Sequence, residues 1–121
     1  MSPGMLLAVG LIGGVGAVGR FLLDGSVARR AGRAFPFGTL AVNLSGAFAL
    51  GLLVGLALGT DAYRLLATGF VGAYTTFSTW ALESQRLGED GEAGLGTLNL
   101  LVSLALGLAV TWLGRRIGAS L

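Results

Sequence analysis

Four long apolar stretches, joined by short charged or glycine-rich links, set the pattern of this chain. They cover roughly residues 5–23, 37–59, 62–87 and 94–114. As helices rising about 1.5 Å per residue, each is long enough to cross a hydrocarbon core of about 30 Å. The second carries no charge between Arg33 and Asp61, and the fourth none between Glu92 and Arg115. The pattern predicts an all-α membrane protein with four spans, forming one domain over residues 1–121. It leaves no room for a separate catalytic module. The first span is expected to be retained, because Met1-Ser2-Pro3-Gly4 lacks the basic residues that open a secretory signal.

Within the spans, small and polar residues recur at helical spacing. The first holds Gly10, Gly13, Gly14, Gly16 and Gly19 ahead of Arg20. Gly51, Gly55 and Gly59 make a ridge of small residues four apart, and Asn99, Ser103, Gly107 and Thr111 make another in the fourth span. Small residues let helix backbones approach closely in a membrane, and polar ones face protein or a wet path rather than lipid. The link from Asp24 to Pro36 is expected to be a loop.

Composition agrees with the membrane assignment. The chain is 54% hydrophobic and 12% charged, with a mean hydropathy of +0.81, too apolar for a soluble domain of this size. Cysteine and histidine are both absent, which removes thiol chemistry and the commonest metal ligand and proton shuttle. All eight basic residues are arginines placed mainly at span ends, where they serve as interfacial anchors. They form no clustered surface for nucleic acid. By alternation, five arginines fall on one side of the membrane (Arg20, Arg29, Arg30, Arg33 and Arg86) and three on the other. That bias is small under the positive-inside rule, which leaves room for insertion in both directions. A chain this short would not enclose a pore alone, so an oligomer, most simply a dimer, is expected.

The third span is the unusual one. Gly72-Ala73-Tyr74-Thr75-Thr76-Phe77-Ser78-Thr79-Trp80 interrupts it with glycine and hydroxyl residues. Irregular backbone at that depth is tolerated only where protein buries it or where it lines a polar path. A break between Gly72 and Ser78 frees carbonyls from the first half-helix and amides from the second, so it can hold a small cation or face an anion. Thr75, Thr76, Ser78 and Thr79 add hydroxyls that donate and accept. Phe77 and Trp80, three apart, lie on nearly one face, where their ring edges can line an anion path or the rings can serve as core or lipid contacts. Asn43, mid-span in the second segment and one turn from Thr39, needs partners for a buried amide. It can donate to an anion or tie helices together. Near the far end of the third span, Glu83 is expected to pair with Arg86.

Together these pieces resemble the CrcB/Fluc family of small fluoride channels. The resemblance rests on Gly13-Gly14-Val15-Gly16-Ala17-Val18-Gly19-Arg20, on Gly38-Thr39-Leu40-Ala41-Val42-Asn43-Leu44-Ser45-Gly46, and on the 72–80 run followed by Glu83. It implies an antiparallel, dual-topology dimer in the cell membrane with two fluoride pores along the subunit interface. It further implies a structural sodium ion held by the backbone carbonyls of Gly72 and Thr75. The pore residues it implies are Asn43, Phe77, Trp80 and Ser103, with Thr76, Thr79 and Arg20. Two positions depart from the family pattern, with Trp80 where phenylalanine is usual and Asn99 where a tyrosine is expected, and a further position of the polar track, one turn after Ser103, is Gly107.

The reading is therefore passive, selective fluoride export that relieves fluoride toxicity, by a membrane protein that is not an enzyme. A homodimer is expected, with a heterodimer with a homologue as the alternative that would suit the two departures. A small multidrug-type transporter also has four spans, but it would need a carboxylate in the first span, and none precedes Asp24.

Overall fold

The computed structural model describes all 121 residues, and every regular element in it is helical. Helix α1 (Pro3–Ala31) starts where Ser2 accepts the Met5 amide at 3.1 Å, with Pro3 in the first turn. Both are favourable at a helix N-terminus. It runs past its apolar stretch, so Asp24 is helical and the expected loop shrinks to residues 32–36. Arg29 and Arg30 in the last turn favour this extension, because cations complement the negative end of the helix dipole. Gly32, at φ 82°, then turns the chain.

Helix α2 (Phe37–Leu56) stops short of Gly59, where Ala57 takes up a left-handed conformation. The third span begins with α3 (Thr60–Tyr63), continues through a π-helical stretch (Arg64–Val71) and ends its first half at α4 (Gly72–Tyr74). Its second half is α5 (Ser78–Glu89). These rods of 15 and 12 residues rise about 22 and 18 Å, so neither alone crosses a core of about 30 Å. Helix α6 (Ala93–Ser120) outruns its apolar stretch and carries the Arg116 guanidinium 5.5 Å from the centre of the Trp112 ring. Three helices, α1, α2 and α6, are each long and apolar enough to cross a membrane. The third of the four expected crossings is the divided one.

Two close seams hold the helices together. Along α2 and α6, Gly51 lies under the Thr111 carbonyl and Gly55 under that of Arg115. Reciprocally, Gly114 and Gly118 of α6 lie under the carbonyls of Phe48 and Leu52. A methyl group at any of the four would collide with backbone. Gly59, the third member of the expected ridge, has no neighbour at all because the helix has already ended. The second seam sets Gly16 of α1 against the Phe70 carbonyl in the π-helical stretch. Only 15 of the 121 residues are buried, and Leu7, Leu11, Val18 and Leu22 of α1 and Leu101, Leu104 and Leu108 of α6 are exposed. So much open apolar surface needs lipid or a second protein against it.

Candidate functional site at the helix break

The third span breaks over Thr75, Thr76 and Phe77, inside the expected window but narrower than it, since Gly72 to Tyr74 remain helical. Thr75 leaves the helix with ψ 158°, while its amide and its hydroxyl both bond the Val71 carbonyl at 3.0 Å. That double bond satisfies one of the carbonyls that a helix end leaves open.

The next residue is captured by another helix. The Thr76 amide donates to Asn43 Oδ1 at 2.8 Å, and Asn43 Nδ2 donates to the Thr76 carbonyl at 2.8 Å. Both polar groups of this peptide are thus paired by one side chain. Gly46, one turn further along α2, makes room for the Thr75 methyl. Asn43 and Gly46 together dock the break onto α2. Of the two roles open to Asn43, the tie between helices is formed; the second hydrogen of its amide has no protein acceptor.

This capture has a consequence for the backbone. In an uninterrupted helix the Thr76 amide would bond the Gly72 carbonyl, and the Thr79 amide that of Thr75. Here the first goes to Asn43 and the second to Thr76 Oγ1 at 3.3 Å. The carbonyls of Gly72 and Thr75 are left without those amides, and Gly72 is exposed. Meanwhile Thr76 donates its hydroxyl to Thr79 at 3.1 Å. The Thr79 hydroxyl hydrogen, at the end of that relay, has no protein acceptor.

Three hollows adjoin the break. An open groove of about 320 Å³ is bordered by Asn43, Thr75, Thr76, Phe77, Trp80 and Ser103. Phe77 is 74% exposed and meets Trp80 edge-on, with ring centres 5.3 Å apart and planes at 66°. A smaller cavity of about 170 Å³ lies on the other side of Thr76, between Arg20, Asp24, Thr39 and Thr79. A third, of about 260 Å³, is lined by Asp24, Arg33, Glu83, Arg86 and Asp90. Thr76 borders the first two hollows and Asp24 the last two, so the three form a series that runs from a mainly apolar groove to a charged outer hollow. Arg20 and Thr79 therefore belong to the small cavity rather than to the aromatic groove.

At the seam between the second and third hollows, the Thr39 hydroxyl donates to Glu83 Oε1. The expected Glu83–Arg86 pair does not form; the only ion pair is Arg64–Asp61, at 3.8 Å. A buried hydroxyl on α2 competes successfully because Arg86, one turn on, is exposed to solvent. The spacing of Glu83 and Arg86 pointed to the local partner, and nothing in the sequence brought Thr39 to residue 83.

Beside the groove, α5 and α6 share a polar network. Trp80 Nε1 donates to the Asn99 carbonyl at 3.3 Å. The Asn99 amide donates to Ser84 Oγ at 2.8 Å, and Ser84 donates to the Trp80 carbonyl at 2.9 Å. Asn99 is 1% exposed, and Gly96 lets the two helices meet at the Ser84 carbonyl. Ser103 lies on the groove, one turn from Asn99, and donates its hydroxyl to Asn99 Oδ1 at 3.5 Å. Thr111, the last member of that stripe, is spent on the Gly107 carbonyl at 2.7 Å. Other residues that sequence reasoning passed over include Tyr74, whose hydroxyl is 2.8 Å from that of Ser45.

Comparison with known proteins points in one direction. Residues 7–115 match the family described as CrcB-like protein, Camphor Resistance (CrcB). A protein named fluoride-specific ion channel FluC 2 from Mycobacterium tuberculosis (strain ATCC 25618 / H37Rv) is 60% identical over 115 residues, which cover 95% of this chain and 91% of that one. The fluoride-specific ion channel FluC of Geobacter sulfurreducens is 51% identical, covering 90% of this chain and 92% of its own. FluC 1 of Leifsonia xyli subsp. xyli is 46% identical, covering 94% and 89%.

Proposed function

This chain belongs to the CrcB-like family, and from that membership we propose that it is a fluoride-selective channel of the cell membrane that lets the ion leave passively. The observation that carries the mechanism is the break at Thr75–Phe77, held open by Asn43 beside a groove edged with aromatic rings.

Fluoride is small and strongly hydrated, so a selective path must replace its water with closely spaced donors while holding it weakly enough to let go. Arg33 and Arg86 at the outer hollow, and Arg20 at the inner one, offer guanidinium donors to an anion beside the carboxylates of Asp24, Glu83 and Asp90. Along the way it meets the free hydroxyl hydrogen of Thr79, the spare amide hydrogen of Asn43 and the positive edge of the Phe77 ring. Ser103 adds a hydroxyl further along the groove, and Trp80 a second ring. None of the groove residues carries a full charge, which keeps each site shallow.

The groove is open on the side where Phe77 is exposed, and one chain does not close it. A second copy, packed antiparallel on the apolar faces of the helices, would supply the missing wall and one groove per subunit. Such a dimer would bring together the freed carbonyls of Gly72 and Thr75. Two carbonyls from each chain suit a sodium ion, since alkali cations are held by unwound backbone oxygens, and no carboxylate, histidine or cysteine cluster competes. When bound, the ion supplies fixed positive charge at the centre of the assembly.

A heterodimer with a homologue is the second reading. Relatives numbered FluC 1 and FluC 2 are both similar to this chain, and the resemblance to the family implies other aromatic residues where this chain has Trp80 and Asn99. Liposomes containing only this chain separate the two. Prompt fluoride release with chloride retained supports the homodimeric channel. A folded protein that releases fluoride only after a homologous chain is added supports the heterodimer, and release of neither ion in both cases overturns the channel. Exchanging sodium for a large organic cation is expected to weaken subunit association, read by cross-linking yield; an unchanged yield removes the sodium site.

A further inference from the structure

The polar network between α5 and α6 reaches the groove at two residues, Trp80 and Ser103. The Asn99 side chain is buried and absent from the lining of the groove, yet it makes contacts that end at a groove residue. From this geometry we infer that Asn99 and Ser84 are positioning residues that hold the Trp80 indole with its N–H turned away from the ion path, a reading that rests on the fluoride-channel function.

Trp80 is gripped at two points. Its indole N–H, the only polar hydrogen of that side chain, ends on the Asn99 carbonyl. Its own carbonyl accepts from Ser84, which in turn accepts from the Asn99 amide. The side-chain bond between Asn99 and Ser84 therefore sets how far the Asn99 carbonyl stands from the turn that carries Trp80. An indole free to rotate would offer its N–H to the groove, where it would hold a passing anion through a strong donor. With that hydrogen occupied, the groove receives carbon-bound ring edges only, the weak contact that a conducting site needs. Because Trp80 meets Phe77 edge-on, fixing one ring also fixes the other. Trp80 and α6 thus fit together: a ring with a donor, and a main-chain carbonyl at Asn99 that occupies it.

The test uses the full-length protein in lipid nanodiscs and liposomes, with indole ¹⁵N labelling. The chain has two tryptophans, and Trp112→Phe assigns the two signals. In the native protein the Trp80 indole proton is expected to exchange with D₂O far more slowly than that of Trp112, which is 60% exposed. Ser84→Ala should erase that protection and slow fluoride efflux about fivefold, the rate equivalent of one lost neutral hydrogen bond. Ser84→Thr, which keeps the hydroxyl, should restore both. In a Trp80→Phe background the same Ser84→Ala change should alter efflux less than about twofold, because no indole remains to be held. Fast Trp80 exchange in the native protein, or an equal effect of Ser84→Ala in both backgrounds, overturns the inference. Absence of fluoride efflux both from the native protein alone and after a homologous chain is added would instead overturn the channel reading, while indole exchange still reports on the clamp.

Discussion

The seam between α2 and α6 and the break in the third span meet the same demand of the membrane in opposite ways. Along the seam, Gly51, Gly55, Gly114 and Gly118 bring two unbroken helices so close that carbonyl oxygens lie over glycine α-carbons. Every backbone hydrogen bond stays inside its own helix, and the gain comes from packing alone. At the break, backbone bonds are given up and replaced one by one with side chains: Asn43 for Thr76, the Thr75 hydroxyl for the end of α4, and Thr76 Oγ1 for the start of α5. The seam tolerates no added atom, whereas the break tolerates no lost polar partner. The difference shows where this protein stores rigidity and where it exposes chemistry.

The largest effect is expected from crowding the seam. Gly51→Leu places a side chain against the Thr111 carbonyl, which cannot move without its helix, at a cost above about 3 kcal/mol. Loss of a monodisperse species on size exclusion would bear this out, and a normal profile would break the comparison. Next comes the aromatic edge of the groove. Phe77→Ile should remove most fluoride efflux while leaving assembly intact, because Phe77 is 74% exposed in the protomer and supports no buried contact there. Undiminished efflux would exclude the ring from the path.

Asn43→Leu sharpens the contrast from the other side. It keeps the volume but strands the amide and the carbonyl of Thr76, each at about 1–3 kcal/mol. A lower thermal midpoint together with reduced efflux is expected, and Asn43→Asp should not rescue it, since a carboxylate cannot donate to the Thr76 carbonyl. An unchanged midpoint would mean that the break is held by something else. The smallest effect belongs to Gly107→Ala. Gly107 sits on α6, seven residues before Gly114, but no atom would lie within 4 Å of the added methyl. Its expected effect on the thermal midpoint is within measurement error, and a large loss would show that glycines on this helix matter for reasons other than close approach.

The break was legible in the sequence because its residue types are costly inside a span without a reason to be there. Its exact extent was not. Gly72 to Tyr74 stay helical since nothing forces them out, and the chain leaves the helix only where Asn43 offers Thr76 a better pairing than Gly72 does. The ridge at Gly51 and Gly55 was readable from spacing, while its complement was split, with Gly114 the last residue of the expected span and Gly118 beyond the arginines that follow it. Thr39 and Glu83 stand 44 positions apart, and local spacing favoured Arg86 as the partner. Trp80 and Asn99 stood out separately as departures, with no sign in the sequence that they touch.

Residue order alone settled the helical class, the membrane setting, the location of the weak point and the residue types gathered around it, because hydrophobicity and the solvation of peptide groups act locally. Which donor meets which acceptor was decided only when the helices came together. That choice depends on distances between segments far apart along the chain, and a side chain on α2 outbid the next turn of the same rod.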